Sequence, residues 1–160
     1  MKDNIIIYTD GGCRGNPGLG AWASILISEK YNLRLEVGES EEMTTNNKME
    51  MKAVIKALER LKNSHNIKVY SDSAYLVNGM NGWIYTWQKN NWIKSYKKPV
   101  ENKKYWLKLI ELSKKHNIEF IKVKGHSDNK ENNRADEIVN MLMDEHENTG
   151  NIASFYNKIN

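Results

Sequence analysis

Four acidic side chains stand where the chain passes from one predicted element to the next. Asp10 follows an apolar run at residues 5–8, and Asp72 follows a second apolar run at 67–70. Glu50 lies in the first turn of a predicted helix, and Asp136 lies near the start of the last helix. If the two apolar runs are parallel neighbours in a sheet, all four carboxylates can meet at one edge of it.

Such a cluster of acids favours a bound cation. Like charges held close together repel, and each carboxylate has a raised pKa unless a cation neutralises it. The sequence offers no Cys/His cluster for zinc or copper, and carboxylate oxygens are ligands typical of Mg²⁺ or Mn²⁺. Two such ions roughly 4 Å apart stabilise both the attacking and the leaving oxygen of a phosphodiester displacement.

Each acid also has a purely structural interpretation. Asp10 fits a turn, where Asp is common, and Asp72 fits the cap of a following helix. Glu50 has the spacing of a capping box with Asn47. Asp136 suits a helix N-terminus electrostatically. Taken one at a time these alternatives stay open, and the coincidence of the acids favours chemistry.

The residues after Asp10 are rich in glycine and predict a tight turn with little side chain. This bare backbone, which includes Gly11, would let a large ligand come close. Cys13 is the only cysteine in the chain, so no intrachain disulfide can form. We interpret it as a small turn residue rather than a reactive thiol.

Composition indicates a globular protein that binds an anionic partner. The 160 residues predict a single domain, 1–160, in which 147–160 form a weakly ordered tail. No apolar run approaches the ~20 residues that span a bilayer, and a cytoplasmic protein is expected. The net charge is +4, and seven lysines lie between Lys89 and Lys108 with one acid, Glu101. A local basic patch is typical of contact with a phosphate backbone.

The hydrophobic pattern predicts an α/β fold. Strands are expected at 5–8, 21–28, 31–37, 67–70 and 118–123, with the second and third forming an antiparallel hairpin and Tyr31, Leu33, Leu35 and Val37 facing inward. Helices are expected at 48–62, 73–79, 81–88, 100–116 and 131–146. A hairpin followed by alternating strands and helices predicts a five-stranded mixed sheet, antiparallel at its N-terminal strands and parallel elsewhere, covered by helices.

Four segments in order resemble the signatures of type 1 ribonuclease H. They are residues 8–18, 44–50, 71–73, and 123–126 together with 132–136. The segment that holds Trp83, Trp87 and Trp92 and runs to 97–100 is similar to the basic protrusion of that family. The resemblance covers residues 5–146, nearly the whole chain.

The resemblance implies a ribonuclease H-like fold, with helices on both faces of the sheet, and an endonuclease that cuts the RNA strand of RNA/DNA hybrids. The products would carry 5′-phosphate and 3′-hydroxyl ends. Asp10, Glu50, Asp72 and Asp136 would ligate two Mg²⁺ ions, for which Mn²⁺ could substitute. His126, in the predicted loop 124–130, would assist proton transfer or product release, although a loop histidine is usually just solvated.

The same resemblance implies a substrate-binding surface. Asn16, Asn46 and Asn47 would read 2′-hydroxyl groups of the RNA strand together with backbone of the glycine segment, which fits amides that both donate and accept. Thr45 would hold a phosphate of the DNA strand. The remaining expected contacts are Gly11, Cys13, Ser73, Trp83, Trp87, Lys89, Lys94, Lys97 and Lys98. Trp87 is expected to lie partly in the core.

Three positions depart from the family pattern. Ala74 stands where members often have a larger side chain that touches the minor groove. Met43 replaces a basic phosphate contact of some members, and Thr86 replaces an Asn. These departures bear on how the substrate is gripped, and they leave the acids unchanged.

Three other functions remain open from the sequence. A nuclease of the same fold could act on DNA, and a non-catalytic module could bind hybrids without cutting them. A carboxylate-pair hydrolase of sugars would leave the basic segment unexplained. The favoured prediction is a monomer that acts on an RNA/DNA hybrid and has no membrane partner.

Overall fold

A computed structural model describes residues 3–94, 97–124 and 129–160. The strands of these residues are β1 (Asp3–Arg14), β2 (Gly18–Ser28), β3 (Leu33–Thr44), β4 (His65–Ser71), β5 (Asn117–Lys122) and β6 (Ser154–Ile159). The helices are α1 (Asn46–Glu59), α2 (Ala74–Asn78), α3 (Ile84–Lys89), α4 (Lys103–Ser113) and α5 (Lys130–Thr149), with a π-helical segment at Gly79–Trp83. Within the described ranges, no helix is both long and apolar enough to cross a membrane.

All six strands form one mixed sheet in the order β5-β4-β1-β2-β3-β6. β4 pairs in parallel with both β1 and β5. β1–β2, β2–β3 and β3–β6 are antiparallel pairs. The predicted mixed sheet and the predicted hairpin are therefore confirmed, and the strand count is six instead of five.

The sixth strand lies in the segment that the sequence predicts to be a weakly ordered tail. α5 continues to Thr149 and ends at Gly150, whose φ is 73°. β6 then pairs with β3, and Ser40 holds its entrance by accepting the N–H of Ala153 at Oγ, 2.8 Å away. The prediction was wrong because a short edge strand is stabilised by pairing with a strand far away in the chain, which leaves a weak local pattern.

Two apolar cores lie on opposite faces of the sheet. α1 covers one face, where Met49, Val54 and Leu58 are fully buried beside Trp106 of α4. α5 covers the other face through an apolar stripe of Ala135, Ile138, Val139 and Leu142. The expectation of helices on both faces is thus confirmed.

The hairpin differs from its prediction at one side chain. Val37 is buried, and Leu33 and Leu35 are half-buried, as expected. Tyr31 precedes β3 and is 63% exposed, so its predicted inward orientation is wrong. The N–H of Asn32 donates to the carbonyl of Glu29 at 3.1 Å, and this turn interrupts the alternation before β3 begins.

Gly79 lies where the π-helical segment crosses the ring of Trp106. A Cβ atom at Gly79 would stand 2.1 Å from ring carbon Cη2 of Trp106, which is fully buried and cannot move aside. Gly82 belongs to the same segment, and a Cβ atom there would meet nothing within 4 Å.

We predict that Gly79→Ala lowers the free energy of unfolding by about 1–3 kcal/mol, the usual cost of overpacking a core. Gly82→Ala is the matched control and should stay within about 0.5 kcal/mol of wild type. Urea denaturation followed by circular dichroism measures both values. Equal midpoints for the two variants would show that the Trp106 contact does not constrain the segment.

Candidate active site

The register of two parallel strands sets Asp10 beside Asp72. β1 pairs with β4 from Asp3↔His65 to Tyr8↔Tyr70. Asp10 and Asp72 each stand two residues beyond the last of these pairs. Because the two strands are paired without a register shift up to that point, the two carboxylates lie side by side where the pairing ends.

The sequence predicts that β1 ends before Asp10, but the strand runs past this residue. It continues against β2 to Arg14, and Asp10 pairs with Ala23. Gly11 and Gly12 are therefore strand residues, and the turn lies between Arg14 and Gly18. Asp10 is only 8% exposed, which excludes the interpretation that it merely caps a turn.

Glu50 reaches the same edge from α1. Thr45 is the N-cap of this helix, and its side chain accepts the N–H of Lys48 at 3.2 Å. The capping box proposed for Asn47 and Glu50 is therefore wrong, since Glu50 lies deeper in the helix. Glu50 is 6% exposed.

The first turn of α1 packs directly on the backbone of β1. A Cβ atom at Gly11 would lie 2.5 Å from the amide nitrogen of Glu50. Only glycine permits this approach, because the atom it would strike belongs to backbone that cannot rotate away. The glycine at position 11 thus serves helix packing beside the site.

Ser73, and not Asp72, caps α2. The hydroxyl of Ser73 accepts the N–H of Leu76 at 3.1 Å. The alternative interpretation of Asp72 as a helix cap is therefore wrong. Asp72 is exposed at the mouth of the site.

Asp136 is the seventh residue of α5, beyond the first turn in which the helix dipole favours an acid. It is half-buried. Its side chain accepts a hydrogen bond from Asn140, with Nδ2 3.4 Å from Oδ1. The dipole interpretation therefore has little support here.

Among the described residues, Asp10, Glu50 and Asp72 present carboxylate oxygens within 4.8 Å of one another. Asp136 stands outside this group of three, although its charge still acts on Asp10. The buried oxygen Oε1 of Glu50 has no hydrogen-bond partner. An unpartnered buried oxygen within a set of carboxylate oxygens fits a hard divalent cation.

The titration of the cluster reflects this crowding. Burial, and then the charges of Asp72 and Asp136, raise the pKa of Asp10 to about 8. Burial and the charges of Asp10 and Asp72 raise the pKa of Glu50 well above its usual value. Without a cation, both groups therefore tend to hold a proton near neutral pH.

The carboxylates line a cleft of about 440 Å³. Several residues in its wall were not identified from the sequence: Arg14, Val139, Asn140 and Met143. The three α5 residues follow Asp136 at helical spacing, a signal that could have located them. Arg14 joins the β1–β2 turn to α5 through ion pairs with Asp144 at 2.7 Å and Glu147 at 2.9 Å.

The predicted readers of the RNA strand are brought together at one end of this cleft. Asn46 and Asn47 line it. Asn16 is exposed, and its Oδ1 accepts the N–H of Asn46 at 3.0 Å. Cys13 donates to the carbonyl of Gly15 at 2.9 Å, and burial raises the pKa of its thiol, which opposes a reactive thiolate.

The tryptophans of the basic segment form a connected cluster of rings. Trp87 is partly buried and its ring centroid is 5.4 Å from that of Trp106, so its predicted place in the core is confirmed. Trp83 is 41% exposed and tilts against Trp87 at 5.9 Å. The predicted lysine contacts are all exposed: Lys89, Lys94, Lys97 and Lys98.

His126 lies outside the described residues. The three departures from the family pattern, Met43, Ala74 and Thr86, are exposed. Met43 is 69% exposed, so an uncharged side chain stands at the surface there.

The sheet order and the carboxylate cluster at its edge define an α/β protein of the ribonuclease H-like fold. The sequence model of the RNase H family matches residues 2–143. The chain belongs to the ribonuclease H family, and the resemblance noted in the sequence is confirmed.

Relatives span nearly the same length. A protein named Ribonuclease H from Caldanaerobacter subterraneus subsp. tengcongensis is 51% identical over 150 residues, covering 91% of this chain and 97% of that protein. One from Chlorobaculum parvum is 50% identical over 146 residues, covering 91% and 99%. Because relatives about half identical to this chain are named as enzymes, the alternative of a non-catalytic module that only binds hybrids is disfavoured.

Solved structures agree with the fold. LC11-RNase H1, crystallised in complex with an RNA/DNA hybrid, is 31% identical, has a TM-score of 0.66, and covers 88% of this chain and 97% of that one. LC9-RNase H1 is 23% identical with a TM-score of 0.82 and covers 97% and 79%. The second likeness bears on the fold alone.

We predict that Asp10→Asn stabilises the metal-free protein, increasingly so as pH rises from about 4 to 8. Over that range the unfolded state releases the proton of Asp10, whereas the folded state retains it, so folding of the wild type weakens with pH. At about 1.4 kcal/mol per pKa unit, the difference reaches several kcal/mol. Urea denaturation in EDTA at pH 4, 6 and 8 measures it.

Glu145→Gln removes an exposed carboxylate of α5 and serves as the control. Its stability should follow wild type at each pH. A difference between Asp10→Asn and wild type that does not change with pH would contradict the account of crowded, buried carboxylates.

Proposed function

We propose that the protein is an endonuclease that hydrolyses the RNA strand of RNA/DNA hybrids, leaving 5′-phosphate and 3′-hydroxyl ends. One observation carries the proposal. Three carboxylates, from β1, from α1 and from the residue after β4, converge within 4.8 Å beside an open cleft. Membership of the ribonuclease H family and the hybrid bound by LC11-RNase H1 support the choice of substrate.

Asp10, Glu50 and Asp72 would hold the divalent cations, with Asp136 as the fourth ligand. Two bound Mg²⁺ ions supply an activated water and stabilise the leaving oxygen in phosphodiester hydrolysis. The chain contributes a rigid set of oxygens, since Asp10 and Glu50 are buried and Asp72 follows directly from β4. Mg²⁺ is the expected ion, and Mn²⁺ would substitute.

The RNA strand would be recognised at the end of the cleft nearest Asn16. The side chain of Asn16 holds the first residue of α1, which fixes Asn46 and Asn47 against the β1–β2 turn. Amides at these positions can donate to and accept from a 2′-hydroxyl, the group that distinguishes RNA from DNA. The hydroxyl of Thr45 is occupied as the N-cap of α1, where it accepts the N–H of Lys48.

The DNA strand would lie towards the basic segment. Exposed lysines attract phosphates without reading sequence, and the binding they supply weakens as salt rises. Trp83, in the same segment, offers a partly exposed ring. Action as a monomer, location in the cytoplasm and the role of His126 stay predictions from the sequence.

We predict that the wild type with Mg²⁺ cuts the RNA strand of an RNA/DNA duplex and leaves RNA/RNA and DNA/DNA duplexes intact. Asp10→Asn should lower the cleavage rate by roughly 1000-fold or more, since several kcal/mol of charge stabilisation are lost. Binding of the hybrid should persist. Gel assays with each strand labelled, in Mg²⁺ and in Mn²⁺, measure cutting.

Glu145→Gln is again the control and should cut like wild type. Cleavage that survives Asp10→Asn would overturn the ligand assignment. Cutting of an all-DNA duplex would favour the DNA nuclease of the same fold.

We predict that Lys97→Gln with Lys98→Gln weakens hybrid binding and flattens its salt dependence. The slope of log K against log salt is negative, and its magnitude should decrease by about 0.9 for each phosphate that the protein no longer neutralises. Binding is measured by fluorescence anisotropy in an Asp10→Asn background, which removes cleavage. Lys114→Gln with Lys115→Gln makes the same change of charge on exposed lysines beyond α4, and an equal decrease of slope there would contradict a localised contact.

A further inference from the structure

A network of ion pairs around one buried carboxylate joins the start of α5 to the sheet. We call it the α5 anchor and define it as Arg34 and Glu36 of β3 with Glu131 and Arg134 of α5. Glu36 is the centre of the anchor and is only 3% exposed. The resemblance to the family assigned no role to any of these residues.

Arg134 grips Glu36 with two parallel hydrogen bonds. Its Nε donates to Oε2 at 3.0 Å, and its Nη2 donates to Oε1 at 3.1 Å. Paired bonds of this kind fix orientation as well as distance. The guanidinium also lies over the ring of Phe155 in β6, 5.8 Å from its centroid.

Arg34 supports the same carboxylate from the strand. Its Nη2 donates to Oε2 of Glu36 at 2.9 Å and to Oε1 of Glu131 at 2.8 Å. Asn157 of β6 completes the surroundings by donating to Oε1 of Glu36 at 3.2 Å. Both helix residues of the anchor are therefore bonded to β3, and β6 supports the carboxylate that Arg134 binds.

The carboxylate of Glu36 is charged at neutral pH. Burial acts to raise the pKa of Glu36, but hydrogen bonds from Arg134, Arg34 and Asn157 outweigh it and lower the pKa to about 2. A buried carboxylate with this set of donors is fully partnered. Removing Arg134 would leave Glu36 paired with Arg34 and Asn157 on the sheet, and would break the contact of Glu36 with α5.

Arg134 and Asp136 are two residues apart on α5, so they project about 200° apart around the helix axis at ~100° per residue. Fixing the direction of Arg134 therefore also fixes the direction of Asp136. Gly38 of β3 lies further along, where its missing side chain lets Leu142 approach. Close packing there sets how near α5 lies, and the anchor sets how it is rotated.

We propose that Arg134, held by Glu36 and supported by Arg34 and Glu131, is a positioning residue for Asp136. It sets the rotation and height of the first two turns of α5, and thereby the distance from Asp136 to the carboxylates of Asp10, Glu50 and Asp72. This inference rests on the proposed function, in which Asp136 is the fourth metal ligand. The anchor itself touches neither substrate nor metal.

The test separates positioning from stability. Arg134→Met and the milder Glu36→Gln, which keeps the shape of the side chain, are compared with wild type in Mg²⁺ titrations of cleavage, well below the unfolding temperature. The half-saturating Mg²⁺ concentration should rise roughly tenfold, as for residues that orient a metal ligand. The KM for the hybrid at saturating Mg²⁺ should stay unchanged.

A second readout does not depend on activity. Calorimetric titration of the substrate-free protein with MnCl₂ should show weaker binding for Arg134→Met. Arg134→Lys keeps the charge but loses the paired bonds, so it should fall between wild type and Arg134→Met. The double variant Arg134→Met/Glu36→Gln should bind Mn²⁺ no more weakly than Arg134→Met alone, because both substitutions break the same contact between Arg134 and Glu36.

Leu109→Ala is the control for stability alone. It empties a fully buried position on α4, away from the anchor, and should lower the unfolding temperature without changing the Mg²⁺ requirement. Arg134→Met and Glu36→Gln variants that behave like Leu109→Ala, with unchanged Mg²⁺ and Mn²⁺ values, would overturn the positioning role. A wild type that never cuts the hybrid would instead overturn the proposed function.

Discussion

The parallel pairing of β1 with β4 holds Asp10 and Asp72 side by side, and the rest of the site must offset the repulsion between their carboxylates. Burial makes it still less favourable to charge both groups, as the raised pKa of Asp10 shows. Glu50 adds a third carboxylate to the same edge. A divalent cation bound to these carboxylates would offset the repulsion and stabilise the folded chain.

The two helices that bring the remaining acids are held by different forces. α1 is placed by close packing, because Gly11 lets its backbone lie against β1 near Glu50. α5 is placed by packing along its apolar stripe and by the ion pairs around Glu36 at its start. The position of α1 is fixed by steric contact, whereas that of α5 also depends on ion pairs that a single substitution can remove.

Much of this could be predicted from residues alone. The helices α1 and α5 and most of the strands are predicted by the periodicity of apolar residues. The four acids are identified because each follows a predicted strand or lies near the start of a predicted helix. The errors occurred where local pattern and tertiary pairing disagree. β1 runs on through Gly11 because β2 pairs with it, and β6 forms because β3 offers an open edge. Local pattern could reveal neither pairing.

By itself, the sequence determined the acids, their order along the chain and the family signatures around them. It could not decide between a helix cap and a metal ligand for Asp72, or between a capping box and a buried acid for Glu50. The tertiary structure excluded both caps, because Ser73 and Thr45 act as the caps. It also revealed the network around Glu36. Spacing along a chain cannot show which distant charges meet, since that depends on strand order and on the rotation of a packed helix.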